Sequence, residues 1–258
     1  MDINISIIIG VAFSVLFPLL LLVIWKLKTG EKLWCFISGA ICFVVFAMIL
    51  ENILHRFCLT GDNAVANAIT SSPVLFTLYA CFAAGIFEET GRFFGFKVLL
   101  KKHRNKECSV AYGIGHGGIE VIILLGITYF MYLLAQLGVS FGDETVNAQI
   151  IAAAESIPVS SACIAVFERI SAMMIHIGLS MVMFTAVNKR RSFGMYPLAI
   201  LLHALADAPA ALFQYQVIKS IFVVEAAAFA AGLVCIVIGI MSLKNYEYKN
   251  SERIEADQ

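Results

Sequence analysis

Seven apolar stretches separated by short polar segments make up most of the chain: 5–24, 33–54, 73–100, 110–137, 159–187, 195–213 and 221–243. A bilayer crossing takes roughly 20 apolar residues in a helix. None of the seven alternates apolar and polar residues with period two, so each is expected to be a helix, which satisfies its own backbone hydrogen bonds in lipid. The third is well marked at its start, where Ser71 or Ser72 can cap and Pro73 suits a first turn. The sixth is the shortest, with Pro197 and Pro209 near its ends. The first lacks a basic leader and a small-residue cleavage site, so it reads as a span and not as a signal peptide. The segment 138–158 is acidic, and 147–155 within it suits a short surface helix. No internal repeat or low-complexity segment stands out. The pattern predicts an all-α polytopic membrane protein, a single integral membrane domain over 1–258, with seven transmembrane helices and a core bundle made by the third to the sixth.

Composition agrees with the pattern. Of 258 residues, 60% are hydrophobic and 14% charged, with a mean hydropathy of +0.89. Soluble domains carry about 25% charged residues. That excludes a soluble globular enzyme, a disordered chain and a nucleic-acid binder, and the partner it implies is the lipid bilayer. The 18 basic and 18 acidic residues cancel, so no net charge calls for a polyanion. The seven cysteines show no CxxC spacing and mostly lie in apolar runs, so they read as small buried hydrophobes.

The basic residues set an orientation. Lys26, Lys28 and Lys32 follow the first span, Lys101, Lys102, Arg104 and Lys106 the third, Lys189, Arg190 and Arg191 the fifth, and Lys244, Lys249 and Arg253 the seventh. The other four segments hold only Arg56 and Lys219. The positive-inside rule then predicts an N-terminus outside and a C-terminus in the cytoplasm.

The informative residues are the ionisable ones inside spans, each of which costs a few kcal/mol or more unless paired or hydrated. The third span carries Glu88, Glu89 and Arg92; the fourth, His116 and Glu120; the fifth, Glu168, Arg169 and His176; the sixth, His203 and Asp207. Glu88 with Arg92, His116 with Glu120, and His203 with Asp207 are each four apart, hence on one helix face. Glu88 and Glu89 diverge by about 100°, so one can face a cavity while the other pairs with Arg92. Counted from the basic segments, Glu88, His116, His176 and His203 fall at about one depth, roughly 15–20 Å in. One shared cavity, open toward the basic loops, is the expectation. Gly113, Gly115, Gly117 and Gly118 leave a flank of the fourth span bare, for close helix packing or for substrate approach.

A buried carboxylate beside a histidine can hold and deprotonate water, and a second histidine fixed by a carboxylate can stabilise an oxyanion. Those are the parts for peptide hydrolysis without a covalent intermediate. No Gly-x-Ser-x-Gly motif and no HExxH is present. Three functions remain open on these residues. The first is an intramembrane endopeptidase using glutamate-activated water, with no cofactor expected. The second is a divalent-metal-dependent protease, its ligands drawn from Glu88, His116, His176 and His203. The third is a non-enzymatic scaffold or transporter with a polar core.

The ordered motifs EExxR (Glu88, Glu89, Arg92), GxGHGxxE (Gly113 to Glu120), ERxxxxxxH (Glu168 to His176) and HxxxD (His203 to Asp207) cover about 73–213. This set resembles the YhfC family of bacterial intramembrane proteases, similar in turn to the CAAX-protease and bacteriocin-processing proteins and to the PrsW proteases. The resemblance implies Glu88 as the base that activates water, His203 and Asp207 as the oxyanion-side pair, and Glu89 and Arg92 as supporting partners. His116, Glu120 and His176 would line the cavity, and His116 and His176 both match the water-binding histidine. A peptide or a membrane protein would be the substrate.

Overall fold

The computed structural model describes residues 3–244 and 246. Lys249 and Arg253, used above for the orientation, lie outside the described residues. Among those described there is no strand. The seven long helices are α1 (Ile5–Thr29), α2 (Leu33–Cys58), α4 (Pro73–Leu99), α5 (Glu107–Gln136), α7 (Val159–Asn188), α8 (Met195–Gln214) and α9 (Ile221–Lys244). Two short helices join them, α3 (Ala64–Thr70) and α6 (Glu144–Ser156). All seven long helices are apolar and long enough to cross a membrane.

Local chemistry explains the ends. Asn4 caps α1 by accepting the Ser6 N–H at 2.9 Å, and Gly30, at φ 71°, stops it in the left-handed region. Lys26 and Lys28 prolong α1 beyond its apolar run, since cations suit a helix C-terminus. Ser72 Oγ accepts the Leu75 N–H at 3.3 Å, with Pro73 in the first turn. Asp143 Oδ1 accepts the Val146 N–H at 2.9 Å and starts α6, the surface helix expected within 138–158. Wide π-type turns interrupt α2 at Val44–Glu51, α4 at Gly95–Leu99 and α5 at Val121–Gly126. Two of these follow directly on the polar residues of α4 and α5, where such turns re-aim the side chains beside them.

Helix α7 is the axis of the bundle. Within its apolar window 72% of residues are buried, against 22% for α1 and for α9, which face outward. Helices α9, α5 and α8 pack on α7, while α2 lies on α5 and α8 on α4. The largest core cluster includes Phe96, Tyr112, Leu179, Met183 and Phe184, on the side of the basic segments. Phe96 stacks obliquely on Tyr112 at 4.6 Å and meets Phe184 edge-on at 5.5 Å. In lipid such contacts rest on close packing more than on expulsion of water, which makes small residues valuable. Gly113 and Gly115 serve that packing. A Cβ on Gly113 would lie 2.6 Å from Ile177 Cα, and one on Gly115 would overlap the Phe36 carbonyl. Helix α5 is thereby pressed against α7 on one flank and α2 on the other.

The cysteines differ from expectation at two places. Cys163 is exposed, and Cys35 and Cys108 pair as a disulfide, with Cα atoms 5.7 Å apart. Their separation of 73 residues hid the pairing, because no local spacing signals it.

Candidate functional site

The polar residues of α4, α5, α7 and α8 gather in one place, and two layers can be distinguished. The inner layer is built around Arg92, which is fully buried. Its Nε donates to both oxygens of Glu89, at 3.0 and 3.1 Å. Its Nη1 donates to the His176 carbonyl at 3.2 Å and to Ser180 Oγ at 3.0 Å. Its Nη2 lies 2.9 Å from His176 Nδ1, 3.4 Å from His116 Nε2 and 3.7 Å from Glu88 Oε2. Glu89 is as fully covered as Arg92, and its Oε1 also contacts His203 Nδ1 at 2.8 Å. A guanidinium is planar with five donors, so one side chain can tie three helices together here.

The outer layer faces a cavity of about 140 Å³, room for several waters. Its polar lining is Glu88, Glu120, His176, His203 and Asp207, with Glu168, Arg169 and Glu225 farther out. Glu88 Oε2 sits at the floor, 2.9 Å from His116 Nε2, 3.8 Å from His176 Nδ1 and 3.9 Å from His203 Nε2. His203 Nε2 is 3.5 Å from Asp207 Oδ2, one turn along α8. Glu120 Oε1 accepts from Arg169 Nη1 at 2.6 Å, and Glu120 Oε2 abuts His176 Nε2. Arg169 also contacts Glu168.

The cavity opens in a direction the sequence did not indicate. Its least covered polar side chains are Glu168 and Asp207, with 47% and 40% exposed. Both, with Glu225 and Ala210, lie toward the helix ends next to 138–158 and 215–220, away from the basic segments. His116, His176 and His203 meet around Glu88 at the cavity floor. The direction of access depends on which helix ends splay, and the large aromatic cluster around Phe96 closes the basic side. The expected site included neither Arg169 nor Glu225, which also line the cavity. One signal pointed to Arg169: it precedes His176 by seven residues, two helical turns, and so shares its face. Nothing in the sequence marked Glu225.

The histidines have separate roles in this geometry. Arg92 only donates, so His176 Nδ1 accepts, and neutral His176 carries its proton on Nε2, toward Glu120. His116 gives its Nε2 proton to Glu88, leaving its buried Nδ1 without a hydrogen-bond partner. His203 gives its Nδ1 proton to Glu89, so in neutral His203 the lone pair is on Nε2, which faces Glu88 and Asp207. A histidine that donates to a carboxylate from one nitrogen and presents the other is the usual metal-ligating arrangement.

The residues fit a divalent cation in two overlapping donor groups. Ligand atoms of Glu88, His116 and His176 all lie within 4.8 Å of one another. The fixed cation of Arg92 stands beside them, 2.9 Å from His176 Nδ1 and 3.4 Å from His116 Nε2. Glu88, His203 Nε2 and Asp207 also face the cavity, with Glu88 Oε2 3.9 Å and Asp207 Oδ2 3.5 Å from His203 Nε2, and the same Glu88 oxygen stands 3.7 Å from Arg92 Nη2. One imidazole and two carboxylates would leave an open position for water, as three protein ligands do at catalytic metal centres.

Comparison with known proteins gives the lineage. No solved structure matches the chain. A protein of Bacillus subtilis (strain 168), described as the uncharacterized membrane protein YhfC, is 36% identical over 225 residues, 83% of this chain and 86% of that one. The family model described as YhfC intramembrane metalloprotease matches residues 13–228. That description gives no support to the expectation that no cofactor is needed, and it favours the metal-dependent alternative over glutamate-activated water alone. The match spans all four polar helices, and the chain belongs to the YhfC family of intramembrane metalloproteases.

Proposed function

We propose that this integral membrane protein is a metal-dependent endopeptidase that hydrolyses a peptide bond of a membrane-associated peptide or protein. The observation that carries the reading is the Nε2 of His203, fixed by Glu89 and aimed with Glu88 and Asp207 into a cavity large enough for water. Glu88, His203 and Asp207 would hold the ion. When bound, such an ion polarises the scissile carbonyl and makes water acidic enough to attack near neutral pH. Glu120, across the cavity, takes the proton of the attacking water with His176 beside it, and Arg169 fixes the Glu120 carboxylate. Arg92 and Glu89 set the histidine tautomers. The basic segments face the cytoplasm of a bacterial plasma membrane, so that the cavity is entered from the outer half.

A second reading has its own support. Arg92 already stands 3.7 Å from Glu88 Oε2, so a cation is present beside the carboxylate. Glu88 is then the base, and His203 with Asp207 steadies the oxyanion. Chelation separates the two. The purified protein is reconstituted in liposomes with a panel of tagged single-span membrane proteins, and cleavage is followed before and after treatment with a chelator. Loss of cleavage and rescue by zinc or manganese is the expected result. Cleavage that survives metal-free conditions but is abolished by Glu88→Gln would establish the glutamate mechanism instead.

A further inference from the structure

The mouth of the cavity holds a carboxylate oxygen that no other group satisfies. Glu225 lies in the second turn of α9 and lines the cavity. It is 6% exposed, and its Oε2 is buried without a hydrogen-bond partner. Among the described residues the lining carries one guanidinium and no lysine. That guanidinium, Arg169, is committed elsewhere, through Nη1 to Glu120 and through Nη2 to Glu168. Buried charges are normally paired, so an unsatisfied carboxylate aimed into a cavity marks a place for a cation.

The walls indicate the kind of cation. Ala172 of α7, Ala206 and Ala210 of α8 and Ala228 of α9 line the same space. Ala228 stands three residues beyond Glu225, about one helical turn deeper. A metal ion takes several donor atoms, and alanine methyls supply none. A lysine or arginine side chain suits both features, with an apolar stem for the alanine walls and a charged head for the carboxylate. The depth also suits. Glu168, at the same mouth, precedes His176 at the floor by eight residues, about 12 Å along α7 at about 1.5 Å per residue. An extended peptide advances about 3.3 Å per residue, so a side chain about three positions from a bond at the floor reaches the mouth.

We propose that Glu225 forms a subsite for a lysine or arginine side chain of the substrate, within about three residues of the scissile bond. The inference rests on the cavity being a peptide-cleaving site and adds the substrate class: membrane segments with a basic residue at the end that enters from the mouth. Glu168 is already held by Arg169 and adds little.

The test uses paired substrates. Synthetic single-span peptides that differ only in a lysine or a norleucine, placed in turn at each position of the half entering from the mouth, are reconstituted in liposomes with the wild type, Glu225→Gln and Glu225→Lys. The wild type should favour lysine at one or two positions by about 10–100-fold in kcat/KM, the worth of a hydrogen bond to a charged group. Glu225→Gln, which keeps the size and shape of the side chain, should lower cleavage of the lysine peptides by that factor and so abolish the preference. Glu225→Lys should favour a glutamate at the same positions. Binding of the same peptides, fluorescently labelled, to His203→Ala reads the subsite without turnover. Equal affinity for lysine and norleucine peptides at every position overturns the proposal. So does a lysine preference that survives in Glu225→Gln, or an equal fall for both peptides in that variant, the mark of a structural role. A lysine preference in binding that vanishes when Glu225→Gln is added to His203→Ala, with no peptide cleaved by the wild type, would uphold the subsite and overturn the peptidase reading instead.

Discussion

Two pairs in this protein look alike along the chain and end differently in space. His116 with Glu120, and His203 with Asp207, are each a histidine followed four residues later by an acid. The second stays together, with 3.5 Å between His203 Nε2 and Asp207 Oδ2. The first comes apart: His116 turns to Glu88 of α4, while Glu120 turns to His176 and Arg169 of α7. Helical spacing places both members on one face, and the neighbours then compete for them. Helix α5 is hemmed in by α2 and α7, so its polar side chains find charged partners at once. Helix α8 borders the cavity, so Asp207 has room to remain beside its histidine. His116 is covered and its Nδ1 has no partner, whereas His203 lines the cavity.

The largest expected effect removes what both pairs depend on. Arg92→Ala leaves Glu89 and Glu88 without their cation, and breaking a buried pair costs about 3–5 kcal/mol. Thermal melting in detergent should show this as a marked drop, with less protein recovered from the membrane. A melt equal to that of the wild type would mean that the inner layer is not what holds the helices.

The contrast between the two histidines comes next. His203→Ala should remove the cavity ion and lower cleavage by at least about 10²–10³-fold, the loss typical of one electrostatic group at a reacting centre. His116→Ala acts only through Glu88 and should lower cleavage by about 10–100-fold, as loss of a supporting partner does, while keeping the ion. Metal analysis of both variants beside their cleavage rates decides the matter, and equal ion loss in both would erase the distinction drawn here.

Glu89→Gln probes the support of His203 directly. The amide can no longer hold the Nδ1 proton as a carboxylate does, so ion affinity should weaken by about 10–100-fold. Metal titration is the readout, and an unchanged affinity would show that Glu89 serves only Arg92. The smallest effect belongs to Glu168→Gln. Its carboxylate is half uncovered and pairs with an Arg169 that Glu120 already holds. Such pairs are worth about 0–1 kcal/mol, so melting and cleavage should both stay near wild type.

Sequence alone was enough for the seven spans, their approximate limits, and the four helices that carry charge. Those features follow from the length of apolar runs and from the penalty lipid puts on ions, and both are local. The rotation of Glu88 from Glu89 was legible too, because adjacent residues on a helix must diverge. Tertiary structure alone decided that His116 leaves Glu120, that Cys35 meets Cys108, that Arg169 and Glu225 line the cavity, and that the cavity opens away from the basic loops. Each of these depends on which helices touch and where their ends part. That is fixed by side-chain volume, such as Phe36 pressed on Gly115 and Phe96 against Tyr112 and Phe184, and not by any spacing along the chain.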